Sequence, residues 1–470
     1  MIAVVLLLLS GSAWAGGYML LDSGVRAQGR AGAFVAGAND ISAQWYNPAA
    51  LTQVPRSTVA FEGWLTQQTA WFEREDIPGV NPFSETVTEA APVFEPSGGY
   101  VTGLGGLHPA LEDVSVAVGL MVPTGSDYLW PADGPQRYAL VSAQIRQIYA
   151  GPSVAWAIAP WLSVGGSVQY TFLKVDQSLV ATLCEEGGES CGSDSPIDDV
   201  RLDVSALDPG KITWNAGVLI QPVEVLKIGL SVQPGVDFVA AGSTTSTLDP
   251  NNGLFDGVLT GDTFSDEDVN VHVSLPWTAR AGVEVTPIER LRIELAGTWT
   301  GWSATENLRV ADVDLELTTT ESGPMQGQSI VVTDDVSLPT GFVDSFSVRL
   351  GSEFDAHERL TVRAGVYAET GATPDDFANA GVPDADKLGG SLGASVRIGD
   401  HLTLDASGLF TGFADRTITD STFAQTALYI DYNNGFATRV GSGREAGNGT
   451  YGGTAWVAGL GASWAFGAPR

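Results

Sequence analysis

The feature that most constrains this chain is a period of two. From about residue 58 onward, stretches of roughly ten residues alternate apolar with small or polar side chains and then reach a turn, as strands with two different faces do. Leu226, Ile228, Leu230 and Val232 alternate with Lys227, Gly229, Ser231 and Gln233. Leu360, Val362, Ala364 and Val366 do the same against Thr361, Arg363 and Gly365, and the last stretch sets Trp456, Ala458, Leu460, Ala462, Trp464 and Phe466 against small residues. A soluble sandwich also alternates, so the connections decide. Short ones, such as Ala159-Pro160, Pro287-Ile288-Glu289 and Gly399-Asp400, take turns with long polar ones: residues 73–95, 184–203, 244–268, 312–335 and 370–386. Tight turns at one end and long loops at the other are the layout of an outer-membrane barrel. The segments number about fourteen, so the predicted fold is all-β: a transmembrane antiparallel barrel with both termini in the periplasm. Aromatic residues near strand ends, among them Trp64, Trp71, Trp156, Trp161, Trp277 and Trp299, fit the two interfacial girdles.

Composition agrees. Glycine is 57 of 470 residues, about 12%, against a usual ~7%. The net charge of -32 disfavours nucleic acid as a partner. The longest apolar run is Ile2 to Leu9, far short of the ~20 residues of a membrane-spanning helix, so a membrane role must use strands. That run is followed by Ala13-Trp14-Ala15, the small-x-small pattern of a signal-peptidase site. Residues 1–15 therefore read as a signal peptide, although no Lys or Arg precedes the apolar run. In an exported chain the only two cysteines, Cys184 and Cys191, are expected to close a small loop as a disulfide. The four histidines are scattered without metal-site spacing, and no cofactor is expected. Acidic loop residues such as Asp262 and Asp266-Glu267-Asp268 offer ligands for cations that bridge lipopolysaccharide, an outer-membrane lipid partner. Solvated loop acids are the plainer reading.

A barrel of fourteen strands is too wide for wall side chains to fill. Residues 16–57 lack alternation and are rich in Gly and Ala, so they read equally as short helices and turns within the lumen or as a periplasmic tail, with 58–467 forming the wall. Ser23 and Asn39 are candidate helix starts, and Pro48 a first-turn proline. Inward-parity charges, among them Arg280, Glu284, Arg292, Glu294, Arg349, Arg397 and Asp405, are expected to form a paired network that holds wall and lumen segment together rather than to contact substrate.

The block Gly17-Tyr18, Gly29-Arg30-Ala31, Asn39-Asp40 and Asn47-Pro48-Ala49 resembles the plug of the FadL-like outer-membrane transporters of long-chain fatty acids and other hydrophobic compounds. Pro123-Thr124-Gly125 in the third strand, Leu275-Pro276 opening the eighth, and Gly297-Thr298-Trp299 through Trp302-Ser303 closing the ninth extend the similarity over nearly the whole mature chain. The resemblance implies an N-terminal hatch, an inner binding pocket and a lateral opening where the third strand kinks inward. It also implies three ligand contacts: Tyr18 reaching into the pocket, Lys174 on strand five for a carboxylate, and Glu369 on strand eleven. Strict alternation, however, puts Lys174 on the face of Tyr170 and Phe172, and a bulge is needed to turn it inward. The family's second lysine falls in the uncharged Leu338-Pro339-Thr340, which leaves room for a neutral hydrocarbon or aromatic. The expected function is passive uptake of a hydrophobic small molecule by a monomeric, non-enzymatic channel. The rivals are a general porin for polar solutes and, less well supported, an outer-membrane lipid hydrolase.

Overall fold

The structure, a computed structural model, describes residues 22–76, 84–123, 125–185, 194–248, 263–305, 307–311, 314–318, 329–333, 336–431 and 437–468. Fourteen strands make the wall. They are β1 (Ser57–Arg74), β2 (Val93–Gly103), β3 (Val114–Met121 and Gly125–Leu129), β4 (Ser142–Ala159), β5 (Leu162–Glu185), β6 (Asp199–Val223) and β7 (Leu226–Gln233 and Val236–Leu248). They continue as β8 (Thr263–Leu275 and Thr278–Ile288), β9 (Leu291–Thr300 and Asn307–Ala311), β10 (Val336–Pro339 and Ser345–His357), β11 (Leu360–Glu369), β12 (Lys387–Ile398), β13 (Leu402–Ile418) and β14 (Gly449–Phe466). Each pairs antiparallel with its neighbours in sequence, and β14 returns to β1 from Ser57↔Phe466 to Arg74↔Gly449. Closure of β14 on β1 removes the first and last strands' open edges, which would otherwise face lipid unpaired.

The side-chain pattern is inverted relative to a soluble protein. On β10, Phe346, Val348, Leu350 and Phe354 are exposed while Ser345, Ser347, Arg349 and Glu353 are buried. Apolar side chains facing outward are stable only against lipid, and the buried polar row must find partners in the lumen.

Four adjacent strands break at a common level. β7 is interrupted between Gln233 and Val236, β8 between Leu275 and Thr278, β9 after Thr300 and β10 between Pro339 and Ser345. Pro234 and Pro276 contribute no backbone N–H to a ladder. This corrects two expectations. Leu275-Pro276 does not open the eighth strand, which already runs from Thr263, and Trp302-Ser303 does not close the ninth, which resumes at Asn307. The longer strands escaped a reading based on lipid-facing alternation because beyond the bilayer the outward face no longer has to be apolar.

Inside the barrel lie α1 (Val25–Gln28), α2 (Ala43–Tyr46) and a 3-10 turn, Pro48–Gln53. Their caps are Gly24, Ser42 and Asn47 rather than Ser23 and Asn39, with Pro48 in the first turn as expected. At the long-loop end, a hairpin of Ala424–Asp431 and Ala437–Glu445 adds to the protruding tip of β5 in parallel, Ala427↔Thr182 to Ile430↔Glu185.

Candidate functional site

The N-terminal segment is held by backbone groups that the wall satisfies. Asn47 serves three at once: its Nδ2 donates to the Val35 carbonyl at 3.0 Å and to the Val218 carbonyl of β6 at 3.1 Å, while its Oδ1 accepts from Ala49 N–H at 3.2 Å. A short side chain carrying both donor and acceptor suits a capping position before Pro48. Asn215 donates to the carbonyls of Gln44 and Trp45 at 3.2 and 2.8 Å, and Ser231 to that of Tyr46 at 2.5 Å. The wall is also cut back where the segment leans on it. A Cβ on Gly365 would fall well inside contact distance of the Arg30 carbonyl carbon, and one on Gly217 would meet Asn47 Oδ1.

The strongest anchor is ionic. Glu294 of β9 accepts the consecutive N–H groups of Val35, Ala36 and Gly37 at 2.6, 2.9 and 2.9 Å, and Arg30 at 3.2 Å. Arg30 also reaches Glu284 of β8 at 2.9 Å, and Lys227 of β7 lies 3.3 Å from the same carboxylate. Arg30, Glu284 and Glu294 are almost wholly buried, so each charge depends on the others for its stability. Nearer the short-turn end, Arg26 pairs with Asp405 at 3.0 Å and approaches Asp40 at 3.8 Å. Burial pushes the Asp40 carboxyl above the usual carboxylate range, with Arg26 and the hydrogen bonds from Ser42 opposing the shift. Charged cavities of about 590 and 370 Å³ lie on this side, and both are lined by Arg26, Asn39, Arg397 and Thr403.

The opposite side of the segment is apolar. Leu173 and Val175 of β5, Val204 and Ala206 of β6, Phe238 and Ala240 of β7, and Val271, Val273 and Leu275 of β8 form one buried cluster above the strand breaks. Below it, Trp45 packs edge-on against Tyr149 of β4, with ring centroids 5.2 Å apart, and Phe34 against Tyr46 at 6.0 Å. An apolar concavity of about 830 Å³, lined by Leu230, Ala281, Trp299 and Phe346, lies on the lipid-facing surface and belongs to the bilayer.

The third strand does break where Pro123-Thr124-Gly125 stands. From Met121↔Tyr149 to Gly125↔Arg146, β3 advances four residues while β4 advances three, so β3 carries one extra. The β2–β3 ladder spans Gly98↔Leu120 to Gly103↔Ser115, and among the described residues no ladder joins Val93–Ser97 to the outer piece of β3. Pro123 lines a cavity of about 20 Å³ with Asp22, Trp64, Glu95, Arg349 and Glu369. That volume holds a single water. Thr124 itself is outside the described residues, as are the side-chain surroundings of Gly125.

The sequence-derived residues divide. Asn47, Pro48 and Ala49 are buried at the heart of the segment's contact with the wall. Glu369 faces the lumen, 3.2 Å from Arg349 and 3.4 Å from Lys387, and Arg349 in turn holds Asp22 at 2.6 Å. Lys174 does not face the lumen: it is half exposed on the outer face and pairs with Asp176 at 2.8 Å. The register shift near it falls on β6, between Asp208 and Lys211, so β5 keeps its alternation and Lys174 stays outside. Tyr18 lies outside the described residues. Cys184 is disulfide-bonded, whereas Cys191, the other cysteine of the chain, also lies outside them, as do the side chains of Asp262 and Asp266 to Asp268. Nothing in the local sequence around Trp45 or Tyr149 marks them as site residues. Arg30 is signalled by its place inside Gly29-Arg30-Ala31.

A closed antiparallel barrel of fourteen strands, apolar outside and with its lumen occupied by an N-terminal segment, is the architecture of a bacterial outer-membrane protein. The chain belongs to the outer membrane protein transport family OMPP1/FadL/TodX, whose model matches residues 6–466. It is 23% identical to a long-chain fatty acid transport protein of Escherichia coli over 41% of this chain and 40% of that one. It is 26% identical to a 47 kDa outer membrane protein of Pasteurella multocida over 46% of this chain and 45% of that one. These matches span less than half the length of the curated relatives. Among solved structures, a Pseudomonas aeruginosa FadL homologue is similar at TM-score 0.71 and 18% identity, with 96% of this chain and 100% of that chain covered. The Pseudomonas putida toluene transporter TodX is similar at TM-score 0.62 and 12% identity, with 95% and 99% covered.

Proposed function

We propose that this protein admits hydrophobic small molecules from the exterior through the loop-side lumen, and that the N-terminal segment is the plug that gates their release. The observation that carries the reading is the two-sided lumen. Above the segment, four neighbouring strands present a continuous apolar face from Leu173 to Leu275, whereas below it the cavities are lined by charges. A hydrophobic solute is favoured in the first and excluded from the second, so it stops at the segment until the segment moves or the wall opens at the β3 kink. Residues 22–55 also occupy the space that a porin for polar solutes leaves open. The relatives' names point to fatty acids in one case and toluene in another, and the channel class is common to both.

The test is removal of residues 16–56. The shortened protein is expected to fold as a heat-modifiable barrel and to conduct small ions in planar bilayers well above the wild-type level. Conductance equal to wild type would mean that the segment does not seal the lumen.

A further inference from the structure

Seven cationic side chains are buried among the described residues, and six of them hold a carboxylate. Arg30, Arg74, Arg137, Arg349, Arg363 and Lys387 each have a carboxylate oxygen between 2.5 and 2.9 Å away. Arg280 is the seventh. It is 5% exposed, makes no ion pair among the described residues, and both terminal nitrogens, Nη1 and Nη2, lack a hydrogen-bond partner. Among the described residues its one contact with a charge-accepting group is the face of Trp45, 5.2 Å from the ring centroid to the guanidinium carbon. The ionisable groups around it are Tyr46, Arg349, Asp22 and Tyr149, and the only carboxylate of these, Asp22, is already held by Arg349. A guanidinium withdrawn from water without an acceptor is a costly arrangement, and the other six positions show how consistently this fold avoids it.

Its place along the strand is equally specific. β8 turns Val271, Val273 and Leu275 into the apolar loop-side lumen, breaks at Pro276-Trp277, and then presents Arg280 at the level of the segment's Trp45. An amphiphile lying along the apolar face with its head toward the plug would bring that head to Arg280.

We propose that Arg280 binds the anionic oxygens of the transported molecule, so that the cargo is a hydrophobic carboxylate or a similar amphiphilic oxyanion rather than a neutral hydrocarbon. This rests on the channel reading above. A planar guanidinium with two free donors suits a carboxylate in a bidentate geometry. Head-group capture is thereby placed on β8, whereas Lys174, the strand-five cation that the family resemblance suggested, points to the outside.

The test compares dodecanoate with dodecan-1-ol, radiolabelled, by equilibrium binding to the purified full-length protein in detergent. Wild type is expected to bind dodecanoate at least tenfold more tightly than the alcohol. Arg280→Met is expected to bring dodecanoate down to the alcohol's affinity and to leave the alcohol within about twofold of wild type. Arg280→Lys should recover part of the preference. Heat-modifiable migration on SDS gels reports whether each variant has folded, and the wild-type comparison alone decides if Arg280→Met has not. Equal wild-type affinities, or a dodecanoate preference that survives Arg280→Met, would overturn the assignment while leaving a channel that binds hydrophobic molecules. Binding of neither ligand would overturn the channel reading itself.

Discussion

Asn47 of the N-terminal segment and Val218 of β6 are joined by one hydrogen bond, Nδ2 to carbonyl at 3.1 Å, across 171 positions of sequence. The same amide holds Val35 and caps the turn that begins at Pro48. A single side chain therefore ties two parts of the segment to each other and to the wall. Asn47→Ala leaves two carbonyls and one N–H without these partners, at a cost of about 1–3 kcal/mol for each group that solvent cannot reach. The expected outcome is a folded barrel with raised ion conductance in planar bilayers and unchanged heat-modifiable migration. Wild-type conductance would show that the bonds are replaceable.

Arg30 and Glu294 predict a larger effect. Arg30→Met strips the cation from two buried carboxylates, Glu284 and Glu294, and only Lys227 remains near the first. Breaking one side of a buried ion pair costs about 3–5 kcal/mol. Limited proteolysis should show the N-terminal segment cleaved at a much lower protease dose while the wall stays intact. Arg30→Met combined with Glu294→Met should recover only part of that loss, because Glu294 also serves three backbone N–H groups. Full recovery would assign the whole effect to charge.

Gly365 tests the closeness of the fit. An alanine methyl there would overlap the Arg30 backbone, and a strand paired on both sides cannot retreat from it as a loop can. Gly365→Ala is expected to displace the segment and expose Arg26 and Arg30 to trypsin, with β11 still paired to β10 and β12. Alanine at Gly412 of β13, which has nothing within 4 Å of the added Cβ, is the control and should behave as wild type in the same digestion.

Much of this architecture is legible in the chain. Alternation at Leu360 to Val366 or Leu226 to Val232 is a local property, since each strand needs only its own residues to present one face to lipid and the other inward. The loop of residues 370–386 falls between β11 and β12 as expected because both strands end where the apolar outward face ends. Asn47-Pro48 likewise carries its turn chemistry within three residues. What the tertiary structure decided is which distant groups meet. Arg30 and Glu294 are 264 positions apart, and they touch only because closure of the barrel and its register set β9 opposite that turn of the segment. The same register leaves the one-residue shift beside β5 on its neighbour, so Lys174 faces out, and it gives Arg349 two carboxylates while Arg280 receives none among the described residues. Parity along a strand tells inside from outside, but the partner of a buried charge is set by the stagger between strands and by the path of the segment they enclose.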